Sequence, residues 1–368
     1  MALTKYKHYS LGFFNMARGL GTLIVIFGHS MALYMVPPET QIQLTLFTGA
    51  GRVLGASVMA MFFLISGFYF HPRPVGKCIK TQARLLLKRY YLTAGAIILC
   101  RGVLQILRGK SAGSLVGMLT RTYLFGFNAY PATKIFGYDV GTVSLFWYIL
   151  ALFVGWVIYD VICVLTSGKT RWLLAGICVV CGWLLTEISQ VWPMSLPTGL
   201  IAVGYIAVGA EIRNYRLLEQ PMPVLHAIVV SVVALASLAF GYVDIAVCSW
   251  KMGLLDVAGT FCVGYLLLRL YTAVFSRRNP AVLARVIENV GLHSIWIFCI
   301  HGFEKALIPW EIIGKWFPGH PILCTMLCMS GRIFVIMVLF WLVYRARKRI
   351  HRRRRSNIVL EGLEEDCL

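Results

Sequence analysis

The chain has 368 residues, of which 59% are hydrophobic and only 14% charged, with a mean hydropathy of +0.75. A water-soluble domain needs far more polar surface, so composition excludes the soluble classes and leaves an integral membrane protein. The formal net charge of +20 does not point to nucleic acid, because the basic residues sit in short segments between apolar runs and no recognition motif accompanies them.

Runs of about 20 apolar residues cross a hydrocarbon core as helices. The first is expected at about 13–35 and contains "MARGLGTLIVIFGHSM", residues 16–31. It has no convincing small-residue cleavage site, so no cleavable signal peptide is expected. Further spans follow at about 53–70, 91–107, 144–165, 172–190, 197–211, 223–243, 254–275, 289–309 and 321–344. The shorter "GSLVGMLTRTYLFGF", 113–127, carries Arg121 and is expected as a re-entrant or interfacial piece.

The fold class is therefore an all-α polytopic bundle of about ten transmembrane helices, with both termini on one side. If that side is the cytoplasm, the segments assigned to it hold most of the 35 lysines and arginines. Every even-numbered loop then agrees with the positive-inside rule. Residues 1–345 form the membrane domain. Residues 346–368 form a cytoplasmic tail, basic through "RARKRIHRRRR" and then acidic through "EGLEEDCL", the last part expected to be disordered. Cys367 stands one residue from the end, which does not make a prenylation box. No internal repeat is visible, so the inverted-repeat plan of many transporters finds no support. Cys178 and Cys181 make a CxxC inside an apolar segment without a second pair, so no metal site is expected.

Arg18 and His29 are eleven residues apart. Eleven steps at 3.6 residues per turn make three turns plus roughly 20°, so both side chains point the same way, about 16 Å apart along the axis. The residues between them are small or apolar. An ionisable residue in a span is a functional hypothesis by default; the plain alternative is a snorkelling arginine and one interhelical hydrogen bond from the histidine. His301 and Glu304 are three apart and share a helix face. Arg332 is a further deep charge that needs a partner, and Glu304 is a candidate. Arg101, Asp256 and Arg269 lie nearer span ends and are read as structural. Trp147 and Tyr148 suit either stacking on a sugar face or an interfacial aromatic belt. Ser66 and Gly67 read as a close helix-packing point, with no Gly-x-Ser-x-Gly elbow.

Arg-(ten residues)-His on the first helix resembles the signature of acyltransferase family 3, integral membrane proteins that O-acylate carbohydrates of the cell envelope. "MFFLISGFYF" at 61–70, "SLFWYILALF" at 144–153 and "IWIFCIHGF" at 295–303 are similar to three further motifs of that family, in order. The family often carries Arg-x-x-Arg at the start of its third helix; here "QARLLLKRYYL" offers Arg84, Lys88 and Arg89 at other spacing. No hydrolase-like domain is expected after the membrane part, where some family members carry one.

The resemblance implies an acyl-CoA donor from the cytoplasm, acetyl-CoA first among the candidates. It implies an acceptor hydroxyl on a cell-surface or polyprenyl-linked carbohydrate, at the cytoplasmic membrane of a bacterium. The donor's phosphates would be drawn to Arg18 and the basic loop from Arg73 to Arg89. His29, at a residue type whose pKa suits proton transfer near neutral pH, would be the general base, with direct transfer and an acyl-histidine both open. Trp147, Tyr148, His301, Glu304 and Arg332 would contact the acceptor. The competing reading is an exporter or flippase of envelope glycan, which would leave its substrate unmodified. No cofactor is expected to be permanently bound.

Overall fold

The computed structural model describes residues 11–34, 57–246, 249–275 and 282–365. Its helices are α1 Leu11–Met31, α2 Ser57–Phe68, α3 Val75–Leu107, α4 Gly113–Phe125, α5 Trp147–Leu165, α6 Gly168–Ile188 and α7 Leu196–Asn214, followed by α8 Val224–Phe240, α9 Leu254–Phe275, α10 Val282–Leu292, α11 Ser294–Leu307, α12 Ile312–Trp316 and α13 Pro321–Glu365. Among the described residues, six helices are long and apolar enough to cross a membrane, or seven if the bent pair α10–α11 counts as one span. The chain is thus an all-α multi-pass membrane protein. α2 and α8 are shorter apolar helices.

Burial grades the bundle from centre to rim. In the span Pro193–Asn214, which contains α7, 78% of the most apolar window is enclosed, against 17% for α6. α7 packs on both α5 and α6, while α8 and α9 pair with each other. Small residues permit the closest approach. A Cβ on Gly67 would run into the Ile206 backbone, and one on Gly209 into the Leu64 carbonyl and the Gly67 Cα. The Ser66–Gly67 stretch is therefore a packing point between α2 and α7. Gly209→Leu should cost at least about 1–3 kcal/mol in overpacking. Gly95→Ala, where a Cβ meets nothing within 4 Å, should be neutral or gain up to about 1 kcal/mol of helix propensity. Thermal unfolding of the two variants in matched detergent checks this.

Several elements depart from the sequence expectation. The third span begins at Val75, so the basic stretch expected as a loop is mostly helix. It contains a π-helical segment, Ala83–Leu87, and Pro74 stands at the N-cap. A helix can carry these cations because its first turns need no apolar surroundings, and the Arg73 backbone N–H is fixed by Asp160 Oδ1 at 2.9 Å. Residues 113–127 fold as α4, 13 residues long, or about 20 Å, too short to cross. It stops at Gly126, whose φ of 64° is left-handed.

After α4 comes an antiparallel hairpin, β1 Asn128–Ile135 and β2 Tyr138–Thr142, turned through Phe136 and Gly137, both at positive φ. Arg121 lies 5.2 Å from the Tyr138 ring centroid and donates from Nε to the Asp139 carbonyl at 3.3 Å, which ties α4 to the hairpin. Two short strands, β3 Val243–Asp244 and β4 Ser249–Trp250, close a second antiparallel pair. The expected span 289–309 is broken: α10 and α11 meet at 74°, with His293 at φ −103° and ψ 10° between them. α10 lies along α1, where Gly19 faces the Ile287 backbone and Gly291 the Asn15 backbone. α11 turns away to pack on α3 and α13. Finally, α13 continues through the expected tail as far as Glu365.

Candidate functional site

α1 carries the two groups singled out by the sequence, and they face two different surroundings. At one end Arg18 spreads its guanidinium over the Tyr69 ring, 5.2 Å from the centroid, an arrangement that offsets part of its desolvation. Phe14 and Phe68 pack with Tyr69 at 5.6 and 5.7 Å between centroids. Tyr148 is also in electrostatic reach of Arg18. The hydroxyls of Thr22 and Ser30 fold back onto the carbonyls of Arg18 and Ile26, both at 2.8 Å. Their protons are thus spent inside the helix.

At the other end of α1, His29 meets His301 of α11 with ring centroids 5.5 Å apart. His301 Nδ1 lies 2.7 Å from Glu304 Oε1. Arg332 of α13 donates to the same oxygen at 3.1 Å, and the Trp310 indole donates to Glu304 Oε2. Arg332 also reaches Cys328 Sγ from Nε at 3.2 Å and stacks on Trp310 at 5.6 Å. His301, Glu304 and Arg332 are each 1% exposed. Such burial is tolerable because the carboxylate receives a cation and two further N–H donors. One atom stays unsatisfied: His301 Nε2 is buried with no hydrogen-bond partner. A buried polar atom left open in this way is worth explaining.

Lys305 joins the cluster from the residue after Glu304, its Nζ 3.5 Å from His29 Nδ1. Sequence reasoning passed over Lys305 and Trp310. The signal available was that Lys305 sits within an expected span, where a cation needs a purpose. Lys305 also lines a cavity of about 350 Å³ with Arg101, Gln105, Arg108, Pro309 and Glu311. Arg101 donates from Nε to the Ala306 carbonyl at 2.9 Å, which fixes the end of α11 against α3.

The remaining expected site residues divide. Arg84 and Lys88 are exposed on α3, whereas Arg89 is turned to the Leu85 carbonyl and lies 5.1 Å from the Trp296 ring centroid. Trp147 is 6% exposed and packs on Phe63 and Tyr148. It is therefore a core residue, neither a lipid-facing belt aromatic nor an open stacking platform. Tyr148 stands against Phe63 and Phe298 at 4.9 and 5.9 Å. Cys178 and Cys181 are unbonded. Among the described residues, no group of three or more His, Cys, Asp or Glu side chains is placed to hold a metal ion.

Comparison with known proteins gives one finding. The family model described as an acyltransferase domain matches residues 11–346. No curated protein and no solved structure matches the chain.

Proposed function

This chain belongs to acyltransferase family 3 and is an acyltransferase, and we propose that it transfers an acyl group from acyl-CoA to a hydroxyl of a cell-envelope carbohydrate. The donor is cytoplasmic, with acetyl the first candidate group. The acceptor is a surface or polyprenyl-linked sugar reached from the other face of a bacterial cytoplasmic membrane. The topology that suits this is ten spans with both termini inside.

The observation that carries the reading is the division of α1 into two charged ends about 16 Å apart. Arg18 stands on an aromatic bed at one end, and His29 enters a buried histidine–glutamate–arginine cluster at the other. A pantetheine arm is of a length to bridge such ends. CoA phosphates would be held by Arg18, with help from Arg84 and Lys88, both exposed on α3. Arg89, engaged with Trp296, would act on the donor only by leaving that ring. The thioester would arrive at His29 and His301. The cavity beside Lys305, lined by Arg101, Gln105 and Arg108, is a polar approach for the acceptor. Glu304 and Arg332 are buried and engaged with each other, so their contribution is to hold His301.

The test is turnover of radiolabelled acetyl-, succinyl- and longer acyl-CoA by the purified chain in lipid nanodiscs. Arg18→Ala should raise the KM for acyl-CoA by roughly 10–100-fold, the equivalent of losing a charged hydrogen bond worth about 1.5–3 kcal/mol, with kcat changed far less. A folded wild type that binds no acyl-CoA of any length would sink the donor assignment and favour an exporter.

A further inference from the structure

We propose that His301, oriented by Glu304, is the base that takes the acceptor's hydroxyl proton, and that His29 faces the same centre as a hydrogen-bond donor. The proposal rests on the acyl-transfer reading above and reassigns the base, a role that the family resemblance implied for His29.

The argument is one of donors and acceptors. Glu304 receives Arg332 on Oε1 at 3.1 Å and the Trp310 indole on Oε2. Two donors, one of them a guanidinium, hold it as a carboxylate, which can only accept. His301 Nδ1, 2.7 Å from Oε1, must therefore carry the ring proton. In the neutral imidazole this leaves Nε2 as a bare lone pair, and that is the buried atom with no partner. A base needs such a nitrogen, free, oriented and kept from water until a hydroxyl arrives.

His29 has the opposite arrangement. Its Nδ1 faces the Lys305 ammonium at 3.5 Å, and an ammonium has only protons to give. Nδ1 must accept, so the ring proton resides on Nε2. A neutral His29 so held presents an N–H. With its ring 5.5 Å from that of His301, it can serve the oxygen that gains charge while His301 serves the oxygen that loses a proton.

The step balances as follows. The acceptor O–H proton passes to His301 Nε2 as the hydroxyl oxygen bonds to the thioester carbonyl carbon. The carbonyl oxygen becomes an oxyanion, met by His29 Nε2–H. The C–S bond then breaks, the carbonyl reforms, and the CoA sulfur takes the proton back from His301 Nε2. Ester and free CoA thiol leave, and both histidines return to their starting tautomers.

Two measurements on the full chain in nanodiscs test this. The first reads the tautomers directly by ¹⁵N NMR of histidine-labelled protein, with His29→Asn and His301→Asn used for assignment. His301 should be protonated on Nδ1 and His29 on Nε2; the reverse pattern would overturn the proposal whether or not turnover is observed. The second is the pH profile of kcat/KM for acetyl-CoA turnover, with water as acceptor. His301→Asn should lose about 10²–10⁴-fold, and its residual rate should lack the histidine limb of the profile. His29→Asn should keep the limb on a reduced rate.

The charged groups facing His301 are Glu304 and Lys305 on its own helix, His29 from α1, Arg332 from α13 and, at the end of α11, Arg101 from α3. Glu304→Gln should move the limb without abolishing it. If the limb instead disappears with His29 and survives in His301→Asn, His29 is the base and the proposal fails while acyl transfer stands. If wild type turns over no acyl-CoA at all, the acyl-transfer reading fails and takes this one with it.

Discussion

His29→Ala should lower acyl turnover by about 10²–10³-fold, the cost of removing one well-placed donor to a developing oxyanion. His301→Ala should cost at least as much, as the loss of a positioned base. The informative variant is the double one. Groups that act on one transition state are grossly non-additive when removed together, and these two rings are 5.5 Å apart. The double alanine variant should be slower than the worse single variant by less than about tenfold, far short of the product of the two losses. A product-like loss would mean that the histidines act on separate steps. Donor binding, measured by isothermal titration with a non-reactive acyl-CoA thioether, should be unchanged within about threefold in all three proteins, because Arg18 and its aromatic bed lie at the other end of α1.

Much of this arrangement was legible in the sequence, and for one physical reason. A charge inside an apolar run is expensive, so Arg18, His29, Glu304 and Arg332 stand out, and helical period alone puts Arg18 and His29 on one face. The Glu304–Arg332 pair follows because a deep cation has few partners to choose from, and the two are found 3.1 Å apart. What stayed hidden depends on direction and not on composition. Lys305 reads as a cation near the end of a span, and nothing local says that its side chain turns towards α1. The 74° break at His293 is invisible because no proline marks it; it arises where α10 docks its glycine against α1 while α11 continues to α3. The hairpin at 128–142 carries only Phe136–Gly137 as a turn signal and lacks clean alternation. Trp147 reads equally as a sugar-stacking platform or an interfacial aromatic because it opens an apolar run, yet the short helical turn Ser144–Phe146 before it carries it inward against Phe63. Even the contact of His301 Nδ1 with Glu304 needed coordinates, since a sequence does not say which ring nitrogen meets a carboxylate.

Glu304→Ala should destabilise the protein by about 3–5 kcal/mol, the cost of leaving one member of a buried ion pair without its partner. Arg332 is 1% exposed, so water is not at hand to replace the carboxylate, and the Trp310 indole loses its acceptor as well. Arg332→Ala should be similarly harmful, since it strands the carboxylate. The double variant Glu304→Leu/Arg332→Met removes both charges and leaves two apolar side chains in the same volume. Replacing a buried pair in this way is often neutral or stabilising by about 1–4 kcal/mol, while the Trp310 indole and His301 Nδ1 still lose their acceptor, so stability should return to within about 2 kcal/mol of wild type. Unfolding by mixed-micelle titration, followed by tryptophan fluorescence, reads these differences. Turnover should not return with stability. With no carboxylate on Nδ1, the His301 ring is free to turn and to place its proton on Nε2, and a nitrogen that already bears a proton cannot accept one. If the stable double variant turned over acyl-CoA at the wild-type rate, Glu304 and Arg332 would be a packing device. If it is stable and slow, with normal donor binding, the ion pair is kept in the membrane for the sake of one imidazole nitrogen.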